Sequence, residues 1–121
     1  MSMWYELFSA LGLTDRFARL PFYDLTVLRI TYRPDQERFY PEVSRLARES
    51  GAVRVALAVN PHGVPLRARM LESSGYLRLD AAAQRLALEF RFVTPADPKA
   101  QGGWQTQLRV IFGADVQSPP R

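Results

Sequence analysis

The sequence predicts an α+β domain in which N-terminal helices and one further helix pack on a mainly antiparallel sheet of about six strands. Apolar residues recur at helical spacing in the first fifty residues, and they alternate with polar residues after Gly51. Short turn signals separate the alternating stretches. The 121 residues, of which 47% are hydrophobic and 23% charged, are enough for one buried core. We predict a single domain over residues 1–113 and a flexible C-terminal tail over 114–121.

The first fifty residues predict three helices and one strand. An amphipathic stripe that ends before Gly12 consists of Trp4, Leu7, Phe8 and Leu11. Residues 16–20 predict a short helix, which Thr14 or Asp15 would cap and Pro21 would end. A strand is predicted at 23–33. A third helix is predicted over 35–50, and it either begins at Pro41 or is kinked there, because an interior proline costs about 3 kcal/mol.

The C-terminal two-thirds of the chain predicts an antiparallel meander of five strands. Two of these strands are predicted at 75–80 and 84–93 from their local alternation. A crossover through the third helix would make the first pair of strands in the chain parallel. The residues predicted to face the core are Val53, Val55, Leu57, Val59, Leu66, Ala68, Met70, Leu86, Leu88, Phe90, Phe92, Trp104, Thr106, Leu108, Val110 and Phe112.

The only histidine is predicted to be a turn residue. It lies in the stretch Asn60-Pro61-His62-Gly63, which has favoured residues at three positions of a type I turn. Catalysis by His62 would need a nucleophile or a carboxylate within reach, and the nearest acid in sequence, Glu72, lies at the far end of the next strand. The chain has no cysteine, which excludes disulfides and cysteine-ligated zinc. No metal or other cofactor is predicted.

An Arg-rich sheet face is the main candidate binding surface. The chain carries a net charge of +4, and all but one of its 16 basic residues are arginines. The residues predicted to share the face opposite the core, and to bind a polyanion, are Arg54, Arg67, Arg69, Tyr76, Arg78, Arg85, Arg91 and Arg109. Strands also need polar outward positions, so ordinary solvent exposure of these arginines is the simplest alternative.

These patterns predict a cytoplasmic, non-catalytic binding or assembly module whose Arg-rich face meets an acidic protein partner or a second copy of the chain. The first alternative is binding of single-stranded nucleic acid by the same face, although one tyrosine is a sparse stacking platform. The N-terminal stripe lacks the basic face of a membrane-binding helix, so no membrane partner is predicted.

The second alternative is a pocket protein or small enzyme in which the sheet encloses a cavity, with a shape like that of nuclear-transport-factor-2-like domains. No residue motif carries that likeness. Glycine-rich phosphate loops and the common hydrolase and zinc motifs are absent, so an enzyme is less favoured than a binding module. Under this alternative, Asp24, Tyr32 or Glu89 would converge in a deep cavity.

Overall fold

The structure is a computed structural model, and it describes residues 16–113. The predicted N-terminal stripe, the capping residues Thr14 and Asp15, and the predicted tail lie outside the described residues. The helices and strands, in chain order, are α1 (Arg16–Arg19), β1 (Arg29–Tyr32), α2 (Glu42–Leu46), β2 (Gly51–Val59), β3 (Pro65–Glu72), α3 (Leu77–Leu88), β4 (Arg91–Val93) and β5 (Trp104–Phe112). Short 3-10 helices cover Leu25–Val27, Gln36–Phe39 and Pro98–Gly102.

The strands form two antiparallel sheets. The main sheet has the order β3-β2-β5, and the small sheet pairs β1 with β4. The predicted α+β class is therefore confirmed, with five strands rather than six. The first pair of strands is not parallel as predicted, because β1 pairs with the distant β4 and not with β2.

The core lies between α3 and one face of the main sheet, which we call the core face. Alternating residues of β2 and β5 on this face are buried, as predicted, and Trp104 and Phe112 are the largest of them. On β3 the prediction was wrong for Leu66 and Met70, which are 63% and 40% exposed. These two residues lie on an edge strand, where the core covers less of each side chain.

The two strands predicted at 75–80 and 84–93 are wrong, because residues 77–88 form helix α3. The alternation of leucine with charged residues at 77–80 suggested a strand. The buried residues Leu79, Ala82, Ala83 and Leu86 instead follow helical spacing, and the three consecutive alanines favour a helix. Only β4 remains of the second predicted strand.

The predicted helix over 35–50 is broken at Pro41. A 3-10 helix precedes the proline, and α2 follows it with the Arg45 N–H donating to the Pro41 carbonyl at 2.9 Å. Proline has no N–H to donate, so it is tolerated at the start of a helix and not inside one. The strand predicted at 23–33 is likewise reduced to β1.

Candidate functional site

His62 lies in the turn of the β2–β3 hairpin, and its side chain is exposed. The Asn60 Oδ1 accepts hydrogen bonds from the N–H groups of His62 and Val64 at 2.9 and 3.0 Å. The Phe92 N–H donates to the Gly63 carbonyl at 3.0 Å, which joins the turn to β4. The backbone of this turn is thus held by its own asparagine and by the second sheet.

The predicted Arg-rich face is only partly formed. Arg54, Arg67, Arg69 and Arg109 lie on the main sheet, on the face opposite the core, which we call the outer face. Arg54 and Arg109 are directly opposite each other on neighbouring strands. The Arg54 guanidinium also donates to Gln107 Oε1 at 3.0 Å and to Glu72 Oε2 at 3.3 Å.

Phe17 of α1 covers part of this outer face. Its ring is 3% exposed and packs with Ala56 and Ala58, whose small side chains leave room for an aromatic ring. The guanidinium carbons of Arg67 and Arg69 lie 5.6 and 4.5 Å from the ring centroid, within the range of cation–π contacts. The ring of Phe17 therefore occupies the surface beside these two arginines.

The other predicted site residues lie elsewhere, so the expectation of one shared face is wrong for them. Tyr76 precedes α3, and Arg78 and Arg85 are on that helix. Arg78 pairs with Glu49 at 2.5 Å, and Arg91 of β4 donates to the carbonyls of two neighbouring residues. Binding of a polyanion by these eight residues stays a prediction, without a common surface to support it.

The two carboxylates predicted to converge in a cavity, Asp24 and Glu89, have structural partners. Asp24 Oδ1 accepts from the Thr26 N–H at 2.9 Å, and Glu89 pairs with Arg38 at 3.3 Å, so Asp24 and Glu89 do not converge in a pocket. Among residues 16–113, no group of three or more His, Cys, Asp or Glu side chains is placed to hold a metal ion.

Two hydrogen-bonded arrangements that attach loops to the core shift the pKa values of their members. Burial opposes the charged form of Asp80, but hydrogen bonds from Ser73 and Ser74 outweigh it and lower the pKa of Asp80. The Tyr23 hydroxyl donates to Asp97 at 2.6 Å, which raises the pKa of Tyr23 and lowers that of Asp97. Both arrangements fix loops to the core.

The outer edge of β5 is the edge that faces away from β2. The Gln105 N–H donates to the Pro21 carbonyl, and its carbonyl accepts from the Tyr23 N–H, both at 2.9 Å, so Gln105 faces away from β2. Alternate residues of an antiparallel strand face the same way, and Gln107 and Arg109 therefore also point outward. Within the described part of the chain, the outward N–H and C=O groups of these two residues make no hydrogen bond.

A groove runs beside this unpaired edge. Its volume is about 260 Å³, and it is open to solvent. The side chains that line it come from the chain before β1 and from the two neighbouring strands, and they are Phe22, Asp24, Leu25, Arg54, Gln107, Leu108 and Arg109. Arg54 and Arg109 were predicted from the sequence as binding residues. The strand edge beside them and the groove residue Phe22 were not predicted.

The fold and this edge define a small α+β domain with room for one more strand on its main sheet. The family model of the Gram-negative bacterial TonB protein C-terminal matches residues 36–113, which is more than half of the chain. The chain belongs to this family. No curated protein and no solved structure matches this chain significantly.

Family membership corrects the predicted function and location. TonB C-terminal domains are periplasmic domains of Gram-negative bacteria, so the prediction of a cytoplasmic module with an Arg-rich binding face is wrong. The same finding overturns the two alternatives, the nucleic-acid binder and the pocket enzyme. The prediction of a protein partner is confirmed in its coarse form, because domains of this family bind outer-membrane receptors. Within residues 16–113, no helix is long and apolar enough to cross a membrane.

Proposed function

We propose that this chain is the receptor-docking domain of a TonB-like energy-transducing protein of the cell envelope. In this proposal, it binds a segment of an outer-membrane receptor as an extra strand along the outer edge of β5. The observation that supports the proposal is the unpaired outward backbone of Gln107 and Arg109 beside an open groove. Main-chain hydrogen bonds would supply affinity, and the side chains of the groove would supply specificity.

The two edges of the main sheet differ in a way that favours β5. The pairing of β5 with β2 keeps an even register over nine residues, from Gly51 opposite Phe112 to Val59 opposite Trp104. The pairing of β3 with β2 has register shifts at two places. Bulges and covering side chains protect edge strands against strand addition, and Gln84 of α3 donates to the Ala68 carbonyl of β3 at 3.4 Å.

The groove gives an incoming strand both apolar and polar contacts. Phe22 is 51% exposed at one side of the groove, and it offers an aromatic surface for the first contact with an incoming strand. On the outer face, the amide of Gln107 and the guanidinium of Arg109 are next to the unpaired backbone. This combination suits a peptide segment better than a small apolar ligand, because the groove is open to solvent.

The experiment compares Arg109→Pro with Arg109→Ala. Proline removes the outward N–H of residue 109, and it leaves the hydrogen bonds between β5 and β2 in place because residue 109 donates none of them. Alanine removes the side chain and keeps the N–H. The probe is a set of synthetic peptides that cover the periplasm-facing segments of outer-membrane receptors from the same organism, and affinity is measured by calorimetry.

We expect Arg109→Pro to weaken binding of the best peptide at least tenfold and Arg109→Ala to change it less than threefold. Met70→Pro, which places a proline on the opposite edge strand, is the control for a general effect of an edge proline. Circular dichroism checks that all variants are folded. If folded Arg109→Pro binds as tightly as the unaltered chain, the partner does not add to β5.

A further inference from the structure

The outer edge of β5 is already occupied at one end by the chain itself. Phe22 and Gln105 form a parallel bridge, which consists of the two backbone hydrogen bonds between Gln105 and the chain at Pro21 and Tyr23. We call Phe17–Tyr23 the resident segment. It is the only stretch within residues 16–113 that pairs with this edge through its backbone.

Gln105 holds the resident segment by its side chain as well. Its Nε2 donates to the carbonyls of Phe17 and Leu20 at 3.1 and 2.8 Å. One residue of β5 therefore makes four hydrogen bonds to the segment, two from the backbone and two from the amide. The aromatic rings of Phe17 and Tyr23 anchor its two ends on opposite faces of the sheet.

Between these anchors the attachment is narrow. The parallel pairing is a single bridge, Phe22 is half exposed, and Ala18 and Arg19 are exposed. Helix α1 has four residues, far fewer than an independently stable helix needs. Segments with few buried contacts open locally while the sheet remains folded. The part of the resident segment between Phe17 and Tyr23 has few buried contacts, whereas the β2–β5 ladder is buried along most of its length.

The free part of the edge is too short for a strand of ordinary length. The resident segment occupies Gln105, and the Gln36 side chain donates to the Ile111 carbonyl, so only Gln107 and Arg109 remain between them. Strands in proteins are usually about five or six residues long. The resident segment blocks the Gln105 end of the edge with its backbone.

We propose that the resident segment is a built-in, displaceable occupant of the β5 edge, and that a partner strand must release it to pair along the full edge. This inference rests on the proposed function for the identity of the partner site. The segment regulates access to the edge. While it is docked, a partner strand can pair only with the outward backbone groups of Gln107 and Arg109, and after its release the partner can also pair with Gln105.

A disulfide lock tests the proposal in the full chain. Phe22 and Gln105 are directly opposite each other in the parallel bridge, a spacing that a disulfide spans, and the chain has no cysteine to compete. The variant is Phe22→Cys with Gln105→Cys, compared in its oxidised and reduced forms. The single variant Gln105→Cys controls for loss of the Gln105 amide. The probe is the receptor peptide that binds the unaltered chain best.

We expect the oxidised form to bind the peptide at least tenfold more weakly than the reduced form, and the single variant to bind at least as tightly as the unaltered chain. Equal affinity of the oxidised and reduced forms would overturn the proposal. In that case the peptide adds to β5 without displacing the segment.

Hydrogen exchange tests the proposal without any peptide. Failure of this proposal can therefore be distinguished from failure of the proposed function. We expect the N–H groups of Tyr23 and Gln105 in the unaltered chain to exchange at least tenfold faster than that of Leu57, which lies in the β2–β5 ladder. Exchange of all three at the same slow rate would mean that the segment detaches only on global unfolding, and would overturn the proposal. If no peptide binds either form but Tyr23 and Gln105 exchange fast, the segment is displaceable and only the proposed function fails.

Discussion

Gly63 lies so close to Phe92 that a Cβ atom at position 63 would overlap with the carbonyl oxygen of Phe92. The φ angle of Gly63 is 81°, in the left-handed region that favours glycine. The same pair shares the hydrogen bond from the Phe92 N–H to the Gly63 carbonyl. This contact joins the main sheet to the small sheet through a single turn.

Gly63→Ala should destabilise the domain by about 3 kcal/mol or more, because the left-handed backbone costs about 1–2 kcal/mol and the clash with Phe92 adds to it. Gly75→Ala is the matched control, since Gly75 has a φ of 96° and a Cβ atom added there would have no neighbour within 4 Å. Urea unfolding measures both. Equal losses at the two positions would show that the turn shifts away from β4 without cost.

Phe90→Ala should lower the free energy of unfolding by about 3–5 kcal/mol, the usual cost of removing a buried phenylalanine ring. Phe90 is 6% exposed, and its ring stacks on Phe92 with centroids 6.0 Å apart. Val93→Ala, at a 42% exposed position on the neighbouring short strand β4, should cost less than about 1 kcal/mol. A small loss for Phe90→Ala in urea unfolding would contradict its place in the core.

Asp80→Asn should destabilise the domain by about 1–3 kcal/mol at pH 7, because the buried carboxylate accepts hydrogen bonds from Ser73 and Ser74. The pKa of Asp80 in the folded state is below its ordinary value of 3.8, so the carboxylate stabilises the fold above about pH 4. This stabilisation is lost as the pH falls through the lowered pKa. Thermal unfolding should therefore show a smaller difference in melting temperature between the variant and the unaltered chain at pH 3 than at pH 7. An equal difference at the two pH values would contradict the role of the Asp80 carboxylate.

His62→Asn should change stability by less than about 0.5 kcal/mol, because the side chain is exposed and asparagine tolerates turn conformations. Asn60→Ala is the contrasting change in the same turn. It removes the acceptor for the N–H groups of His62 and Val64 and should cost about 1–2 kcal/mol. Chemical unfolding compares the two, and a larger loss for His62→Asn would mean that the imidazole has a structural role.

The strands β2 and β5 could be predicted from the sequence because large apolar residues occupy almost every second position, and alanine or polar residues occupy most of the positions between them. Val53, Val55 and Leu57 on β2, and Leu108 and Val110 on β5, are buried on the core face as predicted. An alternating pattern of this length has no helical counterpart.

Helix α3 could not be recognised by local alternation. Its first residues, Leu77 to Asp80, alternate apolar and charged side chains, but Leu77 is 87% exposed and Asp80 is buried by its hydrogen bonds to the preceding loop. The apolar Leu77 is thus exposed and the charged Asp80 is buried, which is the reverse of what their hydropathy predicts. The run of alanines at 81–83 was the signal that favoured a helix.

The candidate site could be predicted only in part. Arg54 and Arg109 lie at the groove, but the unpaired edge is made of backbone groups, which every residue type except proline has in full. Whether those groups are free depends on the order of strands in the sheet. That order pairs β2 with both β3 and β5, and residues far apart in the sequence determine it.

The environment of Trp104 gives this domain an intrinsic optical reporter. The indole is fully buried, its Nε1 donates to Thr94 Oγ1 at 3.1 Å, and its ring meets Tyr23 edge to face with centroids 6.1 Å apart. Tyr23 belongs to the resident segment, so departure of that segment replaces an aromatic contact of the indole with water. The only other tryptophan is Trp4, and Trp4→Phe leaves one tryptophan whose emission, excited selectively at wavelengths too long for tyrosine to absorb, shifts to longer wavelength as the edge of β5 is vacated.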